Sequence, residues 1–378
     1  MKKIITVLAI MAIAGYGYAQ SLSLPPSGNN QKAKVIQNIG PVEVSIAYSS
    51  PHVHTPKGDD RTGHIWGELV QYGYNDLGFG TAKAAPWRAG ANENTVIKFS
   101  NDVKIEGKDL KAGTYALFLA TTKDGPWTWI FSTNTTSWGS FFYDQKEDAL
   151  RVDVTPTDTP FTEYLTYGFD DRLPNSAVAY LQWEKKRISF KIDAGEVNNM
   201  YVSMMRNQLR SNVGFDYRNF SQAANFCATN KINLDEALTW ADQAMNPIPL
   251  GGKKEFNTLQ AKSNVLLAMG KNAEADALMQ EAIHSPDATA QLIHQYGRGL
   301  LNAGQKEKAI EVFKFNAQKN LATDKFTPNV GLARGYTALG DTKNAIKYWE
   351  EAIKNIPDNQ KPFIKTYQGE LDKLKSSK

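Results

Sequence analysis

The stretch Trp87-Arg88-Ala89-Gly90-Ala91-Asn92-Glu93 gathers an aromatic plane, a guanidinium fork, an amide and a carboxylate on a few consecutive residues. Such groups bind polar ligands, for example sugar hydroxyls laid against an indole, so Trp87, Arg88, Asn92 and Glu93 form a candidate ligand site. The same residues have a structural reading, in which Arg88 and Glu93 pair, Gly90 takes a positive φ and Trp87 packs in a core. His52, His54 and His64 are a second candidate. In an extended segment His52 and His54 share a face, as two zinc ligands do, and His64 would be a third. The polar loop between them, and the lack of a supporting Cys or Glu spacing, favour solvent-exposed histidines instead.

Other chemistry is hard to place. The sequence holds no Gly-x-Ser-x-Gly elbow, no His-Glu-x-x-His, no phosphate loop and no dinucleotide fingerprint, so no cofactor is expected. Glu93, Asp144, Glu147, Asp148, Asp170 and Asp171 leave a two-carboxylate hydrolase open, but spacing alone sets no two of them across a cleft. The single cysteine, Cys227, lies in an apolar helical pattern and reads as a small buried residue. The net charge of +4 falls by two if Lys2 and Lys3 are removed, and the charges are interspersed rather than striped, which argues against nucleic acid. The balance favours a non-enzyme.

Two kinds of periodicity must position these residues. From about Val42 to Asp193 apolar residues alternate: Val42, Val44, Ile46, Tyr48; Thr95, Ile97, Phe99; Tyr115, Leu117, Leu119; Trp127, Trp129, Phe131; Leu150, Val152, Val154; and Val178 and Tyr180 leading into Ile188, Phe190 and Ile192. Turn residues separate the runs at Glu106-Gly107-Lys108, Lys123–Pro126 and Leu173-Pro174-Asn175. The pattern predicts an antiparallel β-sandwich or barrel-like domain, with Trp127 and Trp129 in its core. Past Gly195 the period becomes helical, with Met200, Met204 and Leu209 on a linking helix.

The helical half repeats. Ala333, Tyr336 and Gly340 on one helix and its turn are followed by Ala345, Trp349 and Ala352 on the next, then Pro357. Gly304, Ala309 and Phe313, and Gly270, Ala275 and Met279, stand in the same frame. The alanines Ala237, Ala275, Ala309 and Ala345 are 38, 34 and 36 residues apart. This resembles the tetratricopeptide pattern of about 34 residues, in which small residues let paired helices approach and pairs stack. The resemblance implies an all-α array of helical hairpins, closed by a polar helix near Lys361–Lys375. It also implies a protein or peptide partner in the groove of the array.

In the first half, Tyr48-Ser49-Ser50-Pro51, Ile65-Trp66-Gly67-Glu68-Leu69-Val70-Gln71-Tyr72-Gly73, the segment Trp87–Thr95, Ala112-Gly113-Thr114-Tyr115 and Trp138-Gly139 follow one another. Over residues 35–193 this succession resembles an exported bacterial family, the domain of unknown function numbered 2911. Ser50 stands where that pattern has Arg, Gln71 where it has Pro, and residues 74–85 are an insertion. The resemblance implies a compartment and an architecture, and no activity.

The ends agree with export. Met1-Lys2-Lys3, the apolar run Ile4–Ala14 and Gly17-Tyr18-Ala19 have the form of a signal peptide cut after Ala19, and the run is too short to span a membrane. No later run is long enough, so no transmembrane segment is expected in the mature chain. The expected organisation is a signal peptide 1–19, a flexible stretch 20–34, a β domain 35–195, a linking helix and loop 196–219 and helical repeats 220–378. The function expected is a protein-interaction or scaffold module of the cell envelope, periplasmic or extracellular. The alternative is a glycan-binding or glycan-hydrolysing β domain with the repeats as a docking module.

Overall fold

The computed structural model describes residues 30–55, 57–247 and 251–376, and the chain divides between Val197 and Asn198 into two compact units. The expected signal segment and its cut after Ala19 lie outside the described residues. No helix among the described residues is long and apolar enough to cross a membrane.

The first unit contains β1 (Gln31–Ile39), β2 (Val42–Ser50), β3 (Val96–Phe99), β4 (Val103–Ile105), β5 (Lys108–Leu110), β6 (Gly113–Ala120), β7 (Trp127–Ser132), β8 (Asp148–Val154), β9 (Thr157–Asp170) and β10 (Ser176–Asp193). They form a six-stranded sheet in the order β1-β2-β3-β6-β7-β8 and a four-stranded sheet in the order β5-β4-β10-β9. Every pairing within them is antiparallel. β1 begins at Gln31, so residues 31–34 of the stretch expected to be flexible are paired in the sheet.

Alternation does what period two requires. Val42, Val44, Ile46, Ile97, Phe99, Leu117, Leu119, Trp129 and Phe131 are all buried. The two inner faces meet through rings, with Phe190 of β10 at 5.4 Å from Trp129 and 5.6 Å from Phe131, and Tyr167 of β9 at 4.8 Å from Tyr48. This is sandwich packing. The β4–β5 turn places Glu106 and Gly107 at φ 47° and 80°, the double positive φ of a tight primed hairpin.

β10 departs from the simple alternation. Ala177, Ala179, Leu181 and Trp183 are the buried residues at its start, and Val178 and Tyr180 lie on the other face. Ile188, Phe190 and Ile192 are buried at its end, so the inward parity changes from odd to even. The register against β9 shifts on both sides of Glu184, which sits at φ 53°. Bulges there turn the strand by one residue and keep both ends facing the core.

The second unit is helical: α1 (Val197–Gln208), α2 (Tyr217–Asn230), α3 (Leu234–Met245), α4 (Phe256–Ala268), α5 (Asn272–His284), α6 (Ala290–Asn302), α7 (Lys306–Asn320), α8 (Thr327–Leu339), α9 (Thr342–Lys354) and α10 (Ile364–Ser376). Consecutive helices from α2 to α9 pack as four hairpins. Ala237, Ala275, Ala309, Ala345 and Ala352 are essentially inaccessible, as close helix approach demands. Gly270, Gly304 and Gly340 end the first helices of three hairpins at φ 75–80°, and Lys231 takes the same left-handed place in the first hairpin at φ 53°. Tyr336 stacks on Tyr348 at 5.5 Å, and Trp349 is buried with Phe326 and Leu371 of α10, which closes the array. Pro357 follows α9 and opens the short 3₁₀ turn Asp358–Phe363.

α1 belongs to this unit through Val202, Met205 and Leu209, which pack with Phe220, Ala224 and the buried Cys227. Met204, expected on a linking helix, lies on α1 and is exposed. The sharpest packing surrounds Phe313 of α7. A Cβ at Gly297 of α6 would come within 2.4 Å of its ring, and Cβ atoms at Gly331 and Gly335 of α8 within 2.6 and 3.0 Å. Three helical glycines therefore make the slot this ring fills. Phe313→Ala is expected to destabilise the helical unit by about 3–5 kcal/mol, read as a lower denaturant midpoint, because the slot cannot collapse around a methyl group.

Candidate functional site

The loop from Trp87 to Thr95 is fixed at several points. Ala89 and Asn92 take left-handed backbones, φ 48° and 59°. The Ala89 carbonyl accepts hydrogen bonds from the Tyr167 hydroxyl at 2.8 Å and the Thr95 hydroxyl at 3.0 Å. The Ala91 N–H donates to the Ser49 carbonyl at 3.2 Å. Gly90 is not the positive-φ residue. It is glycine because a Cβ there would meet Thr95 Oγ1 at 2.5 Å.

Arg88 is half-buried by this loop. Its Nη1 donates to the Asn92 carbonyl at 2.6 Å, and its guanidinium lies 5.1 Å from the centroid of the Phe141 ring. A Cβ at Gly139, which has φ +61°, would fall 2.2 Å from Arg88 Cζ. The Trp138-Gly139 motif thus leaves room for the guanidinium named by the Trp87-Arg88 motif. Arg88 does not pair with Glu93. Glu93 bonds Lys32 at 2.8 Å and Ser49 at 3.4 Å, and the Lys32 ammonium holds its carboxyl below the usual range. No carboxylate partners Arg88 among the described residues. Burial moves its pKa down from the ordinary arginine value, and the group remains a cation.

Trp87 and Trp183 stack at 6.1 Å with planes 18° apart, and Trp66 stands edge-on to both. Beside them lies a cavity of about 440 Å³. Trp87, Trp183, Arg88, Asn92, Gln71 and Arg61 are among its lining residues, and none of the lining residues is Asp or Glu. Of the four candidates in this loop, Trp87, Arg88 and Asn92 reach the cavity, and Glu93 does not. Arg61 was not among the candidates. It stands in a polar turn far from the loop in sequence, and only the fold brings the two together.

The histidines separate. His54 Nδ1 lies 2.7 Å from Glu163 Oε2 and its Nε2 3.4 Å from Asp60, and the Glu163 contact raises its pKa. His64 pairs with Glu68 at 3.0 Å, and His52 lies against Tyr164, with ring centroids 5.8 Å apart. No group of three His, Cys, Asp or Glu side chains is placed to hold a metal among the described residues.

The helical unit holds a second site. α6 contributes His294 and Arg298, and α8 contributes Val330 and Arg334, to a groove of about 800 Å³ that α10 borders with Tyr367. Arg298 and Arg334 are 36 residues apart, the same place in successive hairpins, after Gly297 and Ala333. Neither has a carboxylate partner among the described residues. The nearby Asp324 accepts the N–H groups of Phe326 and Thr327, and Glu370 bonds Lys373. His294 is buried with no partner for Nδ1, and burial, then Arg334 and Arg298, push its pKa to about 4. Burial and Arg298 also lower Arg334. Aligning the repeats would have picked out the two arginines, and nothing local marks His294.

Residues 30–192 match the model of a protein family of unknown function, DUF2911. The match spans most of the first unit and none of the helices that follow. Residues 329–359, covering α8 and α9, match the model of a tetratricopeptide repeat. The comparison with curated proteins gave no match. Among solved structures, TTC0263, described as a thermophilic TPR protein of Thermus thermophilus, is 16% identical with a TM-score of 0.31, covering 46% of this chain and 91% of its own. YrrB, described as a TPR protein with an unusual peptide-binding site, is 15% identical with a TM-score of 0.27, covering 45% and 86%. The structure titled for Pseudomonas aeruginosa pilF is 16% identical with a TM-score of 0.30, covering 42% and 67%. Scores this low leave the helical fold to rest on the hairpin geometry above.

Two outcomes follow from the sites. Gly139→Ala in the first unit is expected to cost about 1–2 kcal/mol in denaturant melts, since an L-residue is strained at that φ and its methyl displaces Arg88. For His294 the folded pKa is depressed, so between about pH 6.5 and about 4 the unfolded chain takes up a proton that the fold excludes. Stability is therefore full above that window and falls as pH drops through it, by about 3 kcal/mol at most. His294→Gln should flatten this part of the stability–pH curve, and an unchanged slope would assign it to other groups.

Proposed function

We propose that the chain is a non-catalytic interaction protein of the bacterial envelope whose tetratricopeptide-like helices receive an acidic peptide or protein segment. Its carrying observation is the pair Arg298 and Arg334, one on the first helix of each of two successive hairpins, with no carboxylate on either. Arg334 is partly buried with its Nε–H unpartnered, which is costly, and a ligand carboxylate that forks onto its guanidinium answers that cost, while Arg298 adds an exposed cation on the same groove. Repeated hairpins give such a ligand a continuous surface, and the excess of cations along it (Arg298, Lys325 and Arg334 against Asp324) sets both orientation and partner choice. His294, whose pKa burial lowers to about 4, is neutral near neutral pH and adds no charge to the groove it lines. Export after removal of residues 1–19 is part of the same reading and rests on the basic, apolar and small-residue order of Met1–Ala19.

The test is a titration of the full chain against a short Glu-rich labelled peptide and its Gln-substituted counterpart. The acidic peptide should bind in a salt-sensitive way, and the Arg298→Ala, Arg334→Ala double variant should weaken it by roughly tenfold or more with its circular dichroism unchanged. Equal binding of the two peptides ends the reading. N-terminal sequencing of protein recovered from the envelope fraction should begin at Gln20, and retention of Met1 on cytoplasmic protein would refute export.

A further inference from the structure

The cavity beside Trp87 carries an inference of its own, independent of the helical groove. We propose that it is a binding site for a small organic carboxylate, the acid group held by Arg88 and Arg61 and an apolar body lying against Trp87 and Trp183.

Charge is the first ground. Two arginines line one cavity of about 440 Å³, and no acidic residue lines it. Arg61 makes no side-chain hydrogen bond or ion pair among the described residues. Arg88 uses one Nη1–H on the Asn92 carbonyl and leaves further donors of its fork without partners. The carboxylates nearest in sequence are engaged elsewhere: Glu93 with Lys32, and Asp60 with Thr62 and His54.

Preorganisation is the second. The Asn92 carbonyl, the Phe141 ring and the bare Cα of Gly139 hold the Arg88 guanidinium from three sides, and the Ala89 and Asn92 backbones that present it are left-handed. A guanidinium fixed in place loses little freedom when it takes a carboxylate in a two-pronged geometry.

The walls give the third. Trp87 and Trp183 form a stacked pair, and Trp183 is buried with an indole N–H that has no partner. Leu69, half exposed, and Leu77 add apolar surface on the same cavity. The side-chain amide of Gln71 remains for a second polar atom, while those of Asn75 and Asn92 also bond Tyr72 and Asn30. The volume falls within the usual range for small-molecule sites, roughly 300–1,000 Å³. A neutral sugar would leave both cations unanswered, and inorganic phosphate would leave the indole wall unused.

The experiment uses the full chain and calorimetric titration with 3-phenylpropionate, its uncharged amide, inorganic phosphate and galacturonate. The expected result is that 3-phenylpropionate binds at least roughly tenfold more tightly than the other three. Arg61→Gln should weaken it by roughly tenfold while leaving the melting temperature unchanged, since Arg61 holds nothing in the fold. Arg88→Lys should weaken it further, because a point charge cannot fork onto a carboxylate. Equal binding of the acid and its amide, or wild-type affinity in Arg61→Gln, overturns the proposal. So does tighter binding of phosphate or galacturonate, which would replace the apolar body with a different ligand class. Failure of the peptide titration on the helical groove would leave every one of these outcomes unaffected.

Discussion

A guanidinium taken partly out of water needs its donors occupied and its charge answered, and in the first unit Arg88 has the first in part and the second not at all. The surrounding architecture makes sense around that constraint. β9 supplies Tyr167 and the entry to β3 supplies Thr95, and together they pin the Ala89 carbonyl. β2 supplies the Ser49 carbonyl that holds Ala91. The loop after β7 supplies Gly139 and Phe141, against which the cation lies. Residues from four places in the chain therefore converge to fix one side chain whose counter-charge is missing.

The rest of the surface shows how unusual this is. Lys104 with Asp109, Lys111 with Asp102, Lys186 with Asp158 and Arg206 with Glu236 are ordinary exposed pairs. Each contributes little, about 0–1 kcal/mol, and they keep the surface wetted and balanced. Against that background the unpaired cations stand out by location: Arg61 and Arg88 on one cavity, Arg298 and Arg334 on one groove. Unpaired arginines scattered over open water would carry no message, since water solvates them. These line concave surfaces, and in each one of the two arginines, Arg88 or Arg334, is partly buried, where a ligand gains most.

The periodic features were legible in the sequence because they are local. Alternation named the buried faces of β2, β3, β6 and β7, and the spacing of Ala237, Ala275, Ala309 and Ala345 named the hairpins. The misses share another cause. The parity of β10 changes at Glu184 because a bulge inserts there, and no residue type announces it. Gly90 invites a positive φ, yet the turn puts that φ on Ala89 and Asn92 and uses Gly90 for a close approach. Arg88 and Glu93 look like a pair five residues apart, but the left-handed residues between them send Arg88 inward and Glu93 out to Lys32 on β1. Each is decided by contacts distant in sequence. The motif succession pointed to the loop, and only the fold could say which of its residues line the cavity.

The two concave sites differ in a way that follows from what builds them. The β cavity is framed by strands and a loop whose backbone is strained at Ala89, and such strain, of order 1–3 kcal/mol, persists only where neighbours over-determine it. A rigid frame of about 440 Å³ with an indole wall discriminates by shape and suits a compact ligand. The helical groove is nearly twice that volume, is bordered by three helices and their connecting segments, and carries its arginine at the same place in two successive hairpins. A period of one hairpin matches a ligand that is itself extended, because successive carboxylates along a chain can meet successive arginines. Strand geometry fixes a point and helix stacking fixes a line, so one chain presents cations to ligands of two different shapes.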